Sequence, residues 1–517
     1  MTKTSVLSSI TFWSPGAWNT LTSYVPQAFG TLQEEAAYET AVKDVLGRLY
    51  DASPEVATIL DNLAASGALR IGASTAGPAF SIKADATNGV DSYLLFDPNQ
   101  PVWSISEDGS LFQMSADVIL AHELGHTIGK LDPETDGSYT VGGRDYRYAT
   151  DMFMNTSHDI SATPPQYAYT PDVVQFENQV ANELGITEHR VSYDAAFTPG
   201  SANYNEVVGI IATEGSLTHG ALVDIVRFGD QDPTTNVNNI DFTGWSTSPD
   251  VLAFGMTGDD SMKAGSGNTY FFGGIGQDNI QGGTGDDRLH GGADDDQVDG
   301  RDGSNYLYGD GGNDHIYSHG VLDIIDGGAD NDVVKTFGPS AGDPAGSSSI
   351  HFEDGRGVDV VEMQDNSLVV LDLSKYSLDE ITIIAGGEDV YGTAYYTNNY
   401  TQFEFLTFAT PGGDKITFTD DLLSVGPSTA VDWSKIGTSY AADHLGPLSV
   451  QFADGSTIGS SALWDYIDDF ADHSNVIIDL FAVNHGRSYV NTSFSSMSGA
   501  DYLNHINSDY FVPDNVT

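Results

Sequence analysis

Three residues within one short stretch could together bind a metal ion and use it. His122, Glu123 and His126 form a His-Glu-x-x-His pattern inside the segment from Ala116 to Asp132. On a helix, side chains four residues apart leave the same face one turn apart, so both imidazoles can reach one Zn²⁺. The carboxylate of Glu123 can then hold a zinc-bound water and take its proton. The spacing predicts a zinc site that hydrolyses peptide bonds.

Such a site needs a third protein ligand, with the fourth position left for water. The candidates are Asp132 and Glu177, and the ordinary alternatives are a turn residue for the first and a solvated helix carboxylate for the second. Arg190 and Tyr193 are candidate catalytic residues that could polarise a carbonyl oxygen or steady a tetrahedral intermediate. They could equally pack against Glu183 and the core.

A second pattern, with a period of nine residues, predicts calcium binding. Its turns start at 255, 264, 273, 282, 291, 300, 309, 318 and 327. Each repeat allows a six-residue glycine-rich turn and a three-residue strand. Glycine permits positive φ, which lets turn carbonyls converge, and an acidic sixth residue adds a carboxylate to the same cage. The predicted calcium ligands at that position are Asp260, Asp278, Asp287, Asp296, Asn305, Asp314, Asp323 and Asp332.

The eighth position of each repeat is apolar, which distinguishes this segment from a low-complexity linker. We expect these side chains to stack into a narrow core, and we expect the segment to be largely unfolded without calcium because its aspartates repel. The turns starting at 264 and 318 depart from the pattern, with Thr269 at position six and with His319 in the turn. The eighth residues are Met262, Phe271, Ile280, Leu289, Val298, Leu307, Ile316, Ile325 and Val334.

The elements that must position the histidines follow an α+β pattern. Apolar spacing predicts helices at 32–50, 54–65 and 171–184, and an apolar helix with Ser115 as its N-cap carries the histidines. Strands are predicted near 69–71, 80–82 and 93–96. Residues 195–254 are predicted as strands and turns that form a connector, and residues 339–470 as strand-rich.

Composition narrows the classes of partner. The 517 residues carry a net charge of −55, which disfavours nucleic acid and anionic membranes as partners. Because 40% of the residues are hydrophobic, bound cations rather than disorder are expected to offset this charge. The absence of cysteine excludes disulfides and thiolate metal sites. We expect no amino-terminal secretory signal and no membrane-spanning helix.

The nonapeptide segment, residues 255–335, resembles the RTX repeats of bacterial proteins exported by type I secretion. Its clearest copies are Gly273-Gly-Ile-Gly-Gln-Asp-Asn-Ile-Gln and Gly282-Gly-Thr-Gly-Asp-Asp-Arg-Leu-His. The resemblance implies a parallel β-roll, bound Ca²⁺ and an export signal at the carboxyl terminus.

The histidine helix resembles two families of zinc peptidase. The run His122-Glu-Leu-Gly-His-Thr-Ile-Gly-Lys-Leu-Asp-Pro is similar to the metzincins, particularly the serralysins, and this implies Asp132 as third ligand and Met152 or Met154 in a methionine turn. The run Glu177-Asn-Gln-Val-Ala-Asn-Glu-Leu-Gly, with Arg190 and Tyr193 following, resembles the effector-type zinc metallopeptidases, the family of the NleD effector. That likeness covers roughly 40–193, more than the other, and favours a gluzincin-like site with Glu177 as third ligand.

These patterns predict an α+β zincin-like peptidase domain followed by a parallel β-roll and a β-rich C-terminal domain. The expected protein is a secreted, calcium-binding zinc metalloendopeptidase at the outside or surface of a bacterium, with a protein or peptide substrate and the type I secretion machinery as partners. The alternative is a non-enzymatic, calcium-dependent extracellular structural protein with an inactive peptidase-like domain. The expected divisions are 1–194 peptidase-like, 195–254 connector, 255–338 RTX roll, 339–470 β-rich flanking domain and 471–517 export-signal region.

Overall fold

The computed structural model describes two compact units, and each is considered separately. The first comprises residues 1–228 and 249–252, and the second comprises 229–248 and 253–517. The described residues are 2–12, 29–66, 70–73, 79–82, 93–127, 138–141, 144–148, 157–159, 166–168, 172–191, 196–229, 238–244, 248–320, 322–337, 347–353, 355–363, 367–386, 405–420, 448–459, 462–463, 466 and 475–479.

Six helices are described in the first unit; the second to fifth begin and end close to the predicted positions, and the first was not predicted. They are α1 Lys3–Ser9, α2 Leu32–Ala52, α3 Pro54–Ser66, α4 Ala116–Thr127, α5 Asp172–Glu183 and α6 Ala202–Glu214. Thr31 caps α2 through a capping box with Glu34. The predicted cap of α4 is confirmed, because the hydroxyl of Ser115 accepts the Val118 N–H at 3.3 Å. The helix α6 lies where strands and turns were predicted, so that prediction was wrong for residues 202–214.

Short strands accompany these helices and confirm the α+β pattern within the described residues. One sheet contains Thr11–Phe12, Arg70–Gly72, Tyr93–Phe96 and Ala79–Ile82, and another contains Ala196–Phe197, Val102–Ile105 and Leu111–Met114. A third contains Gln166–Ala168, Ser157–Asp159, Arg144–Tyr148 and Ser138–Val141. Ile225–Phe228 is a further strand of this unit. The strands at 70–72, 79–82 and 93–96 agree with those predicted from alternation.

Helix α4 lies in the centre of the first unit's core. Its apolar residues from Val118 to Leu124 are buried in one cluster with residues of α2, α3 and α5. At the exposed edge, the Arg48 side chain of α2 donates two hydrogen bonds to Asp117 of α4, at 2.9 and 3.0 Å. The burial of α4 on several sides fixes the rotation of the helix, and therefore the direction in which its histidines leave it.

The second unit contains two sheets of mainly parallel strands, which the chain visits alternately. One sheet contains Val251–Thr257, Thr269–Ile275, Arg288–Ala293, Tyr306–Gly311, Ile324–Asp326, Ser347–His351, Leu368–Leu373, Leu448–Phe452 and Thr457–Gly459. The other contains Asn239–Asp241, Ser261–Lys263, Asn279–Gln281, Gln297–Asp299, His315–Ser318, Val333–Thr336, Val358–Met363, Lys415–Asp420, Phe405–Ala409, Thr382–Gly386 and Val476–Asp479. Within the repeats, residues that pair on neighbouring strands are eighteen positions apart in the sequence, as Ile280 and Val298 are.

The register places every predicted eighth residue inside the roll. Leu289 pairs with Leu307, and Ile316 with Val334, and all of these side chains are buried. Parallel strands stacked in this way align identical positions of successive repeats. The predicted β-roll is therefore confirmed in these residues.

The two sheets continue beyond the nonapeptide segment at both ends. Asn239–Asp241 pairs with Ser261–Lys263, and Val358–Met363 pairs with Val333–Thr336. Later strands extend the same sheets. Among them, Phe405–Ala409 pairs antiparallel with Thr382–Gly386 on one side and with Lys415–Asp420 on the other. Residues 339–470 are β-rich as predicted, where they are described. Apart from 475–479, the predicted export-signal region lies outside the described residues.

Candidate metal centres

The structure places two of the three pattern residues in the interior of the first unit. His122 and Glu123 on α4 are both 8% exposed. His126 lies one turn later on the same helix, and its side chain is not among those described. The other predicted residues Asp132 and Tyr193, and the methionines Met152 and Met154, lie outside the described residues.

Glu177 and Arg190 meet His122 in a buried cluster of three side chains. The Oε2 atom of Glu177 lies 2.7 Å from Nδ1 of His122, across 55 residues of sequence. Arg190 donates to the same carboxylate through Nε at 2.8 Å and through Nη2 at 2.6 Å. Glu177 is fully buried and Arg190 is nearly so. The structure thus brings two of the predicted site residues, Glu177 and Arg190, into contact with the first histidine of the pattern.

The charges in this cluster offset each other. Burial raises the pKa of Glu177, but the Arg190 guanidinium and His122 outweigh it, so the pKa lies below its usual value. Nδ1 of His122 lies 2.7 Å from a Glu177 oxygen, which can only accept, and 3.0 Å from Nη2 of Arg190, which can only donate. The shorter contact with the carboxylate favours a ring proton on Nδ1. Nε2 then carries the ring's lone pair, which is the tautomer of a histidine that coordinates a metal through Nε2.

The segment that follows α5 closes over the cluster. The Asn178 side chain donates to the carbonyl oxygen of Arg190 at 2.8 Å, which ties that segment to α5. Beside the cluster is a cavity of about 210 Å³, with Phe112, Val118, Glu177 and Arg190 among its lining residues. Its volume is below the range of about 300–1,000 Å³ that is usual for ligand pockets, and neither His122 nor Glu123 lines it.

In the part of the chain that the structure describes, no group of three or more histidine, aspartate or glutamate side chains is arranged to hold a metal ion. His122 fits a zinc ligand because of its ring tautomer. Both oxygens of Glu177 already accept from Arg190, and Oε2 also contacts His122, so the carboxylate keeps one lone pair for a metal ion, on Oε1.

In the second unit, the sixth residues of the repeats form two rows on the roll. We call the first the Asp260 column; it precedes the strands of one sheet and contains Asp260, Asp278, Asp296, Asp314 and Asp332. We call the second the Asp287 column; it precedes the strands of the other sheet and contains Thr269, Asp287, Asn305 and Asp323. All of these side chains are buried.

The Asp260 column is a regular ladder. From Asp278 onward, the Oδ1 atom of each aspartate accepts the backbone N–H of the residue eighteen positions earlier, for example Asp278 N–H to Asp296 at 2.7 Å and Asp296 N–H to Asp314 at 2.7 Å. The second oxygen, Oδ2, has no hydrogen-bond partner in any of the five aspartates. Such unsatisfied buried oxygens are costly unless a proton or a cation reaches them.

Burial and the neighbouring aspartates raise the pKa of these carboxyl groups. The pKa of Asp278 is raised to about 8 and that of Asp314 to about 9, first by burial and then by the like charges on either side. The pKa of Asp260 is raised to about 6, and the pKa values of Asp296 and Asp332 are raised to about 7. Calcium would restore the charged form, because a hard divalent cation binds carboxylate oxygens directly.

The ladder includes two residues that the nonapeptide pattern did not identify. Asn238 donates its backbone N–H to Asp260 at 2.7 Å, and Asp332 donates to Asp359 at 3.0 Å. Asp359 is buried, and its pKa is raised by burial and by Asp332. Asp359 does not follow the spacing of the other column aspartates, because it lies 27 rather than 18 residues after Asp332. A signal was present, since Asp359 precedes Val360 and Val361 as other column aspartates precede apolar strand residues.

Comparison with known protein families agrees with this geometry. The family model described as RTX calcium-binding nonapeptide repeat (4 copies) matches residues 252–280, 272–307 and 299–334. The chain therefore carries RTX calcium-binding repeats, which are typical of secreted, extracellular bacterial proteins. A comparison with curated proteins found no match. No helix among the described residues has the length and apolar character needed to cross a membrane.

Proposed function

We propose that this protein is a secreted, calcium-binding zinc metalloendopeptidase whose peptidase site lies in the first unit. The RTX repeats support calcium binding and secretion. The peptidase part of the proposal rests on one observation, the buried contact between Glu177 and His122 on the His-Glu-x-x-His helix. A carboxylate that holds the second ring nitrogen of a histidine is a common feature of metal-binding histidines.

We assign His122 and His126 as zinc ligands. The bonds of Glu177 to Arg190 support a role in which Glu177 orients His122 rather than joining the metal as third ligand. Asp132, the other candidate from the sequence, is then the proposed third ligand. A ligand role for Glu177 remains the alternative, and the two roles differ in their effect on the number of zinc ions bound.

Zinc in such a site supplies a Lewis acid that lowers the pKa of a water molecule and polarises the scissile carbonyl. Glu123, next to His122 and buried, is the general base that takes the proton from water and delivers it to the leaving amine. Arg190 is bonded to Glu177 and so acts on His122 indirectly. Tyr193 is proposed, from the family resemblance, to stabilise the oxyanion.

The test is hydrolysis of casein and of the protein itself by a Glu123→Gln variant. We expect the variant to bind zinc as the unmodified protein does and to lose at least about 10²-fold in rate, since the base is gone and the ligands remain. A Glu183→Gln variant, altered at an exposed carboxylate on α5, is the control and should keep full activity. Normal turnover by Glu123→Gln protein would reject the mechanism.

The zinc content of two further variants separates the roles of the acidic residues. Asp132→Asn is expected to abolish stoichiometric zinc binding. Glu177→Gln is expected to weaken zinc binding by about 10–100-fold, as losses of residues that orient metal ligands do. The reverse ranking would make Glu177 the third ligand.

The second candidate function is a calcium-dependent extracellular structural protein without peptidase activity. It is favoured by the absence, among the described side chains, of a cluster of three metal-binding groups, and by a Glu177 carboxylate already satisfied by its own chain. Correctly folded, calcium-loaded protein that binds no zinc would support this function and exclude the first.

A further inference from the structure

The two columns of the roll differ in how their buried oxygens are satisfied. In the Asp260 column one oxygen of every aspartate accepts a hydrogen bond from a backbone N–H, and the other oxygen has no hydrogen-bond partner. In the Asp287 column, both oxygens of Asp323 are occupied. Its Oδ1 accepts the Asn305 N–H at 2.9 Å, and its Oδ2 accepts from the Ser318 hydroxyl at 2.7 Å and from the Gly320 N–H at 3.0 Å.

Asn305 completes this second arrangement. Its side-chain oxygen accepts the Asp287 N–H at 3.0 Å, so it replaces an aspartate in the ladder. Its side-chain amide donates to the carbonyl oxygens of Gly300 and Asp302, at 3.0 and 3.2 Å. In the Asp260 column this position carries an aspartate, whose Oδ2 has no proton to donate and no hydrogen-bond partner. An amide N–H therefore occupies the direction from which a cation would be bound.

The Asp260 column offers the opposite environment at each of its turns. Asp296 Oδ2 and the carbonyl oxygen of Gly309 both lie beside Gly291, where glycine places no side chain between them. Calcium bonds to oxygen are 2.3–2.6 Å long, and six to eight oxygens surround the ion. Successive turns of this column each contribute a carboxylate, so an ion between two turns would have a carboxylate on each side.

We propose that calcium binds in a continuous row along the Asp260 column and is absent from the Asn305 and Asp323 turns of the Asp287 column, where hydrogen bonds take its place. The row extends through Asp332 to Asp359, because the ladder bond between them has the same form as the others. Asp287 is intermediate: its Oδ1 has no partner, but Thr269 and Asn305, its neighbours in the column, bring no second carboxylate.

The proposal is tested by counting calcium ions bound to the full-length protein by equilibrium dialysis and elemental analysis. Asp314→Asn and Asp323→Asn form a matched pair, because the two aspartates are buried, occupy position six and lie nine residues apart. Asparagine keeps the oxygen that accepts the ladder N–H and removes the charge. We expect Asp314→Asn protein to lose one or two calcium ions and Asp323→Asn protein to lose none.

Equal losses in the two variants, or a loss in Asp323→Asn alone, would overturn the proposal. Should Asp314→Asn protein fail to fold in calcium, Asp359→Asn at the end of the row provides the same comparison. Loss of calcium by Asp359→Asn, with none lost by Asp323→Asn, supports the proposal. An unchanged calcium count in Asp359→Asn protein would contradict the extension of the row.

Discussion

Glu177 in the first unit and Asp314 in the second are both fully buried carboxyl groups with opposite electrostatic environments. Arg190 and His122 surround the carboxylate of Glu177 and hold its pKa below the usual value. Asp314 accepts a hydrogen bond from one backbone N–H, and its Oδ2 has no hydrogen-bond partner. Because it is buried between other aspartates, its pKa is raised to about 9.

The difference lies in where the compensating positive charge comes from. In the first unit the chain supplies it, with a cation thirteen residues away in sequence. In the Asp260 column the chain supplies more negative charge, so neutralisation must come from protons or from calcium. The buried cluster around Glu177 is therefore expected to form without calcium, whereas the roll is expected to require it.

Removal of calcium should have the largest effect and should separate the two regions. In calcium-free buffer supplemented with zinc, we expect backbone amides of residues 253–336 to lose most of their protection, because unpaired buried charges oppose the folded roll. Amides of α4 and α5 should keep theirs. Hydrogen exchange followed by mass spectrometry measures both. Equal loss of protection in α4 and α5 would show that the clusters are not independent in this respect.

The pH dependence of the calcium-free protein should be the next largest effect, since several carboxyl groups contribute together. The folded-state pKa values of the Asp260 column, about 6 to about 9, lie above the ordinary value of 3.8. The folded roll therefore binds more protons than the unfolded chain, and its stability should fall as pH rises from about 4 to about 9.

Circular dichroism of calcium-free protein across this range tests that expectation. The β-signal should be stronger at pH 5 than at pH 9. With saturating calcium the trend should disappear or reverse, because protons then compete with the cation. A calcium-free β-signal that increases with pH would contradict the raised pKa values.

Replacement of Glu177 should destabilise the first unit alone. Glu177→Gln leaves the buried guanidinium of Arg190 without its counter-charge, and loss of one partner of a buried ion pair costs about 3–5 kcal/mol. Urea unfolding followed by the helical signal measures the change. Glu183→Gln on the exposed side of the same helix should change stability by less than about 0.5 kcal/mol. Comparable effects of the two substitutions would show that the buried cluster adds little stability.

A partly exposed ion pair in the roll should matter least. Lys335 and Glu362 lie on neighbouring strands with their charged atoms 2.6 Å apart, and each side chain is about one-third exposed. Solvent and salt screen such pairs, so a double-mutant cycle with Lys335→Met and Glu362→Gln should give a coupling below about 1 kcal/mol. A coupling energy above about 2 kcal/mol would show that solvent screens this ion pair as little as it screens a buried one.

Much of the fold could be predicted because its signals are local. The apolar spacing in α2 and α3, the cap at Ser115 and the alternation in Tyr93–Phe96 each depend on a few neighbouring residues. The nine-residue period identified the roll and its inward side chains for the same reason. The helix α6 was missed because Tyr204, Asn205 and Gly209 dilute its apolar pattern. Asp359 was missed because an insertion broke the period.

The sequence by itself identified the candidate metal-binding residues: the histidines of one helix and the sixth residues of a repeating turn. Periodicity suffices for this, since each repeat or helical turn specifies its own conformation. Only the tertiary structure decided how those residues are satisfied. The approach of Glu177 to His122 across 55 residues, and the difference between Asp314 and Asp323, depend on which backbone and side-chain donors folding brings beside each oxygen. A pattern of residue types cannot distinguish a carboxylate whose oxygens accept hydrogen bonds from one that keeps an oxygen without a hydrogen-bond donor.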